Sequence, residues 1–200
     1  MPFLSIIEII SVLNNFGVFA KVFSKSVISP ILLSAILSDT LLFKSPTTTE
    51  LDIEVGHKLA EIAKIDINEY GFKMFKAASS VSGLSVDEII HSDMKTFNFD
   101  DSTLAIGQVV TLDFDDIQKR SCELIDGLNK MCSFGNYKVA LLFITDIINN
   151  GSYIFYNEDS KELLSEAYGI GNIEQGYFMD GIVSRKKQML PPLLELDERR

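Results

Sequence analysis

The sequence has few of the residues that build disulfide frameworks and metal clusters. It has two cysteines, Cys122 and Cys132, two histidines, His57 and His91, and no tryptophan. Two cysteines make neither a disulfide framework nor a zinc knuckle, so we expect reduced, buried thiols. The histidines lack metal-ligand spacing. A glycine-rich phosphate loop and a nucleophile elbow are also absent.

Basic residues and long apolar runs are scarce as well. Lys and Arg number 18 against 28 Asp and Glu, a net charge of -10, which argues against nonspecific nucleic-acid binding. The most apolar run, 27–43, is interrupted by Pro30 and Asp39 and is shorter than the ~20 clean apolar residues that span a bilayer. The first residues lack the basic region of a signal peptide. We therefore predict a cytoplasmic protein with no nucleic-acid or membrane partner.

The chain has enough apolar residues, 46% of 200, for one large domain or two small ones. Apolar spacing predicts helices at 6–17, 28–43, 50–65 and 67–79, the third with Ile53, Leu59, Ile62 and Ala63 on its inner face. Capping boxes are predicted at Thr49–Asp52 and Ser85–Glu88. The small, polar residues around 78–84 read as a linker.

After this linker the apolar period changes. Strands are predicted at 103–112, 137–145, 152–156 and 181–183, with helices at 113–132 and 161–168. This alternation of strands and helices predicts an α/β domain built around one sheet.

Three features could carry chemistry. Asp39 interrupts an apolar helix, so it either binds a partner or metal or lies at an exposed helix end. Three consecutive cations, Arg185, Lys186 and Lys187, follow a predicted strand, where they could bind phosphate or form a solvated basic turn. Lys95, taken alone, reads as an exposed lysine.

Two segments carry a resemblance to a known family. Residues 38–47, SDTLLFKSPT, and 184–188, SRKKQ, resemble the signatures of family II inorganic pyrophosphatases, manganese-dependent members of the DHH phosphoesterase superfamily. The segments 59–63, 69–71, 93–97 and 145–147 continue the similarity, which covers about residues 8–195. The implied fold class is α/β. A mostly helical remnant of the DHH domain (1–77) and a linker (78–84) precede a DHH-associated domain with a mixed sheet (85–200).

The resemblance implies a site and a reaction. Asp39 falls on a ligand of manganese, with Mg2+ or Co2+ as alternatives. Lys95, Arg185 and Lys186 fall on residues that hold pyrophosphate and act in catalysis, and Ser38 and Lys187 are expected to support them. The implied reaction is hydrolysis of pyrophosphate to two phosphates by metal-activated water, at a site between two domains.

The similarity also has a gap. Family members carry a longer N-terminal domain with a His/Asp/Asp cluster and the Asp-His-His motif, and this sequence has neither. Asp39 is the one metal ligand left, too few for a dinuclear centre, so we expect a truncated or split gene product that is inactive alone.

Four expectations accompany this resemblance. The chain could pair with a separately encoded N-terminal half, or be a non-catalytic phosphate- or pyrophosphate-binding module. An exopolyphosphatase-like DHH phosphoesterase is a further alternative. Self-association is expected through apolar surface within residues 1–66.

Overall fold

The computed structural model describes residues 28–78, 81, 83–99, 101–112, 114–135 and 137–199. The helix predicted at 6–17 lies outside these residues. The chain forms two compact units, with the boundary between Met74 and Phe75. The linker predicted at 78–84 stays a prediction, since residues 79, 80 and 82 are not among those described.

Helices form the described part of the first unit. They are α1 (Ser29–Asp39), α2 (Glu50–Ala63) and α3 (Ile67–Ala78), and the unit boundary falls within α3. The capping box predicted at Thr49 is confirmed: its hydroxyl accepts from the Asp52 amide at 3.2 Å, and the Asp52 carboxylate accepts from the Thr49 amide at 2.8 Å. Leu33, Ile36, Leu37, Leu59 and Ala60 form the core.

Two expectations for this unit were wrong. Ile53 and Ile62 are exposed, not on the inner face of α2. Helix α1 ends at Asp39 rather than Phe43, because Leu41, Leu42 and Phe43 have left-handed backbones with φ of 49°, 57° and 65°.

The second unit alternates helices with strands. Its helices are α4 (Val86–His91), α5 (Phe114–Lys119), α6 (Ser121–Phe134), α7 (Lys161–Tyr168) and α8 (Pro191–Asp197). Its strands are β1 (Met94–Phe99), β2 (Ser102–Thr111), β3 (Tyr137–Asp146), β4 (Gly151–Tyr156) and β5 (Tyr177–Asp180). A 3-10 turn (Glu158–Ser160) precedes α7, and a π-helical turn (Arg185–Met189) precedes α8. The capping box predicted at Ser85 is confirmed at the start of α4.

The sheet is mixed, as expected. Its strand order is β1-β2-β3-β4-β5, with β2 and β3 parallel and the other pairs antiparallel. Apolar side chains cover both faces because β2 and β3 alternate them between two cores. One core contains Leu104, Ile106, Leu141, Phe143 and Met189, and the other contains Val109, Leu124, Ala140, Leu142 and Ile144.

Several boundaries in this unit differ from the predictions. Strand β1 was not predicted, and the helix predicted at 113–132 is two helices, α5 and α6. The strand predicted at 181–183 is wrong: β5 ends at Asp180, and Gly181 turns the chain with a φ of 71°. The expectation of buried thiols was wrong: Cys122 is exposed and Cys132 is half-buried, and both thiols are free. No helix among the described residues is long and apolar enough to cross a membrane.

Candidate functional site

Arg185 attaches the basic segment, residues 185–187, to the edge of the sheet. Its Nη1 donates to the carbonyls of Asp93 (2.5 Å) and Ile106 (3.1 Å). Its Nη2 donates to both carboxylate oxygens of Asp93 at 3.0 Å. The Arg185 side chain is 10% exposed, against 55% for Asp93. Arg185 is therefore held in one place by the start of β1 and the middle of β2.

Lys95 lies on the same sheet face as the basic segment. It is paired across the ladder with Ile106, whose carbonyl Arg185 binds. Strand alternation places Lys95 on the face of Phe97 and Phe99. Phe99 packs in the core that also contains Met189, the last residue of the π-helical turn. The Lys95 side chain is exposed, and its ammonium has no hydrogen-bond or ion-pair partner in the described part of the chain.

Lys186 and Lys187 follow Arg185 and are both exposed. Their segment begins at the buried Ser184, whose hydroxyl accepts from the Lys187 amide at 3.4 Å. The Lys186 ammonium has no partner among the residues described here. Lys95 and Lys186 are thus cations next to a fixed arginine, an arrangement suited to a phosphate with several charged oxygens.

Gln188 holds the loop that leads into the basic segment. Its side-chain oxygen accepts from the amides of Val183 and Ser184, both at 3.0 Å. Its amide nitrogen donates to the Gly181 carbonyl at 2.7 Å. One side chain therefore pairs backbone groups that a loop otherwise leaves without partners.

Two polar side chains on the sheet bind the same loop, and a third, Thr145, joins them to each other. Gln108 on β2 donates to the Val183 carbonyl (3.0 Å) and to the Thr145 hydroxyl (2.9 Å). Ser152 on β4 donates to the Ile182 carbonyl at 2.6 Å, and its hydroxyl lies 2.9 Å from that of Thr145. Thr145 and Ser152 are fully buried, so this network fixes the position of the basic segment.

Asp39 and Ser38 lie in the first unit, at the end of α1, and both are exposed. The Asp39 carboxylate has no partner in the part of the chain that the structure describes. Two hydrogen bonds of the Thr40 hydroxyl stabilise the left-handed residues that follow Asp39. Thr40 donates its hydroxyl to the Ile36 carbonyl (2.6 Å) and accepts from the Phe43 amide (3.2 Å).

The left-handed turn also packs against two glycines. A Cβ on Gly56 of α2 would lie 2.6 Å from Cζ of Phe43, and one on Gly71 of α3 would lie 2.1 Å from Cδ2 of Leu42. A left-handed backbone is costly for residues with a side chain. These contacts therefore fix the direction in which the chain leaves Asp39.

The described residues alone do not fit a manganese centre. Among them, no three His, Cys, Asp or Glu side chains lie close enough to hold a metal ion. Asp39 offers a single carboxylate, whereas a tight site needs several ligands.

The family model described as the DHHA2 domain matches residues 73–196. The chain belongs to the DHHA2 domain family. The matched part of the DHHA2 domain contains Lys95 and the whole basic segment.

Relatives of this DHHA2 protein are longer. A protein of Clostridium acetobutylicum named "probable manganese-dependent inorganic pyrophosphatase" is 42% identical over 160 residues, which are 80% of this chain and 52% of that protein. A cobalt-dependent inorganic pyrophosphatase of Clostridium perfringens is 39% identical over 83% of this chain and 30% of its own length. A crystal structure of a Methanococcus jannaschii protein named "putative family II inorganic pyrophosphatase" matches with a TM-score of 0.75 and 39% identity, over 85% of this chain and 55% of that one. The chain spans about half the length of the first of these relatives. These matches confirm the resemblance to the C-terminal part of family II inorganic pyrophosphatases and the α/β fold class.

Sequence reasoning did not identify some of the residues that shape this candidate site. Asp93 was in a quoted motif, but nothing local showed that it pairs with a residue 92 positions away. Gln108, Thr145 and Ser152 were not assigned to the site either. One available signal was that all three are polar residues within strands that are otherwise apolar.

Proposed function

We propose that this chain binds inorganic pyrophosphate and takes part in its hydrolysis to two phosphates. The observation that carries the proposal is the set of hydrogen bonds from Arg185 to Asp93, the residue just before β1 and two residues before Lys95. Under this proposal Lys95, Arg185 and Lys186 neutralise phosphoryl oxygens in the substrate and the charge that develops on the leaving phosphate. Ser38 and Lys187 support these groups, and the activity is cytoplasmic.

Manganese is the metal of the proposed complete site, with Co2+ or Mg2+ as alternatives, and Asp39 is one of its ligands. The names of the relatives support this choice, since they specify manganese or cobalt. The remaining ligands would come from outside the described residues. A separately encoded N-terminal half is the partner that we propose for this role.

A non-catalytic module that binds phosphate or pyrophosphate is the second candidate. The shortage of metal ligands among the described residues favours it. The two candidates share the binding site and differ in turnover. A third candidate, an exopolyphosphatase-like enzyme, shares the chemistry and differs in the length of the phosphate chain it accepts.

Pyrophosphate binding to the purified chain tests what the first two candidates share. We expect Lys95→Ala and Lys186→Ala each to weaken binding about tenfold in titration calorimetry, because each removes a charge-assisted contact. Lys130→Ala is the matched control, since Lys130 is an exposed lysine on α6. Equal affinities for all four proteins would contradict the assigned site.

Phosphate release separates the enzyme from the binding module. We expect no release from pyrophosphate by the chain with Mn2+, and release when the N-terminal half of the Clostridium acetobutylicum relative is added. Manganese-dependent release by the chain alone would show that no partner is needed. No release in either case would favour the binding module, and preference for a long polyphosphate would favour the third candidate.

A further inference from the structure

The exposed Asp93 carboxylate binds one of the two terminal nitrogens of the Arg185 guanidinium group, Nη2. Its two carboxylate oxygens accept from Nη2, while Nη1 is bound by two backbone carbonyls. Carboxylate and phosphate are the anions whose oxygens match a guanidinium group. One half of the guanidinium is therefore fixed to the backbone, and the other is paired with a side chain that an anion could replace.

The Asp93 carboxylate is free to leave this position. It is 55% exposed, and Arg185 is its one partner among the described residues. Water solvates the carboxylate at this exposure, so the cost of its departure falls on the nearly buried Arg185 and is offset when another anion binds Nη2. The bonds from Nη1 do not involve the carboxylate, so Arg185 keeps its place when Asp93 turns away.

Lys95 favours a more highly charged anion at the same place. The Gln108 amide donates to the Asp93 carbonyl at 3.1 Å, which continues the pairing of β1 with β2 beyond Met94. Asp93 lies in the turn just before β1, and its carboxylate binds Arg185, which also binds the carbonyl of Ile106 opposite Lys95. Asp93 and Lys95 therefore lie near the same guanidinium group. The Asp93 carboxylate pairs with Arg185 and forms no ion pair with Lys95 among the described residues. A larger polyanion bound to Nη2 could also interact with the positive charge of Lys95.

We propose that Asp93 is an internal competitor of pyrophosphate for Arg185. In the free protein its carboxylate holds Nη2, and a phosphate oxygen displaces it when the substrate binds. The inference rests on the proposed function and deepens it, because it names a residue that limits the affinity of the site. Asp93 acts here through Arg185 and is not itself a phosphate ligand.

Binding of pyrophosphate to Asp93→Asn tests the proposal. The amide keeps the shape of the side chain and removes the charge that competes for Nη2. We expect the dissociation constant in titration calorimetry to fall about two- to fivefold. Asp126→Asn is the matched control, since it removes an exposed carboxylate on α6, and we expect it to change nothing. Asp93→Ser is a second variant, and circular dichroism checks the folding of each.

The Arg185→Gln background separates competition from simple charge repulsion. We expect the gain from Asp93→Asn to vanish there, because no guanidinium remains to be released. A gain that persists, or no gain in Asp93→Asn and Asp93→Ser while the unmodified chain binds pyrophosphate, would overturn the competitor role and leave the proposed function intact. If none of the proteins binds pyrophosphate, the proposed function fails and this inference fails with it.

Discussion

At the scale of single residues, the two cysteines differ in environment. Cys122 is exposed, whereas Cys132 is half-buried. Burial, with a smaller contribution from the nearby Asp159 carboxylate, raises the pKa of the Cys132 thiol to about 11. The thiolate is the reactive form, so a higher pKa lowers reactivity at neutral pH.

We expect iodoacetamide to modify Cys122 much faster than Cys132 at pH 8. About one thousandth of a thiol with this pKa is ionised there, and the fraction rises as the pH approaches the pKa. Peptide mass spectrometry over time gives both rates, with Cys122→Ser and Cys132→Ser as controls. Similar rates at pH 8 would show that Cys132 is not held as a protonated thiol.

The residues of the site were predictable where a local motif contains them. Lys95, Arg185 and Lys186 were recognised from short segments that resemble a known family. Their assigned roles stay predictions until binding is measured. Asp93 as the partner of Arg185 was not predictable, because that pairing depends on how β1 and the π-helical turn come together in the folded chain.

At the scale of elements, the left-handed turn after α1 depends on glycines in the neighbouring helices. Gly71 is buried in α3, and a Cβ there would lie 2.1 Å from Cδ2 of Leu42. Alanine normally favours a helix over glycine by about 1 kcal/mol. Here the added methyl group has no room unless Leu42 moves, and Leu42 has a φ of 57°.

We expect Gly71→Ala to destabilise the protein by about 1–3 kcal/mol, since overpacking outweighs the gain in helix propensity. Urea unfolding followed by far-UV circular dichroism measures this, and the absence of tryptophan makes that probe preferable to fluorescence. Gly83→Ala is the control, because its methyl group would meet no atom within 4 Å. Adding Leu42→Ala should recover part of the loss, and a stabilised Gly71→Ala would contradict the packing described.

Most elements were predictable from local patterns, and the exceptions have physical reasons. The apolar run from Leu41 to Phe43 continues the pattern of α1, so periodicity cannot show where the backbone becomes left-handed. Strand β1 has mostly exposed or half-buried side chains and therefore a weak apolar alternation. Residues 181–183 are apolar enough for a strand, but side chains from β2 and β4 hold them as a loop.

At the scale of the whole molecule, exposed apolar side chains are concentrated in the first unit. Five of the nine large apolar side chains that are exposed among the described residues lie in this smaller unit: Ile31, Leu51, Ile53, Ile62 and Phe72. The other four, Leu84, Phe134, Ile148 and Tyr177, lie in the second unit. Exposed apolar groups of this size favour contact with another surface. The expectation from sequence was that the first 66 residues carry such groups, and four of the five lie there.

We propose that these side chains make the purified chain self-associate, and we expect its mass in light scattering to rise with protein concentration. Ile31→Lys and Ile62→Lys should each lower that mass, because a buried contact would then contain an unpaired charge. Phe134→Lys, at a residue of the second unit that is 89% exposed, is the control and should have no effect. A constant monomer mass would contradict self-association, and an effect of Phe134→Lys alone would move the contact to the second unit. If the proposed N-terminal half binds to the same side chains, adding it should dissociate the self-associated species. Self-association and binding of the N-terminal half would then compete for one surface.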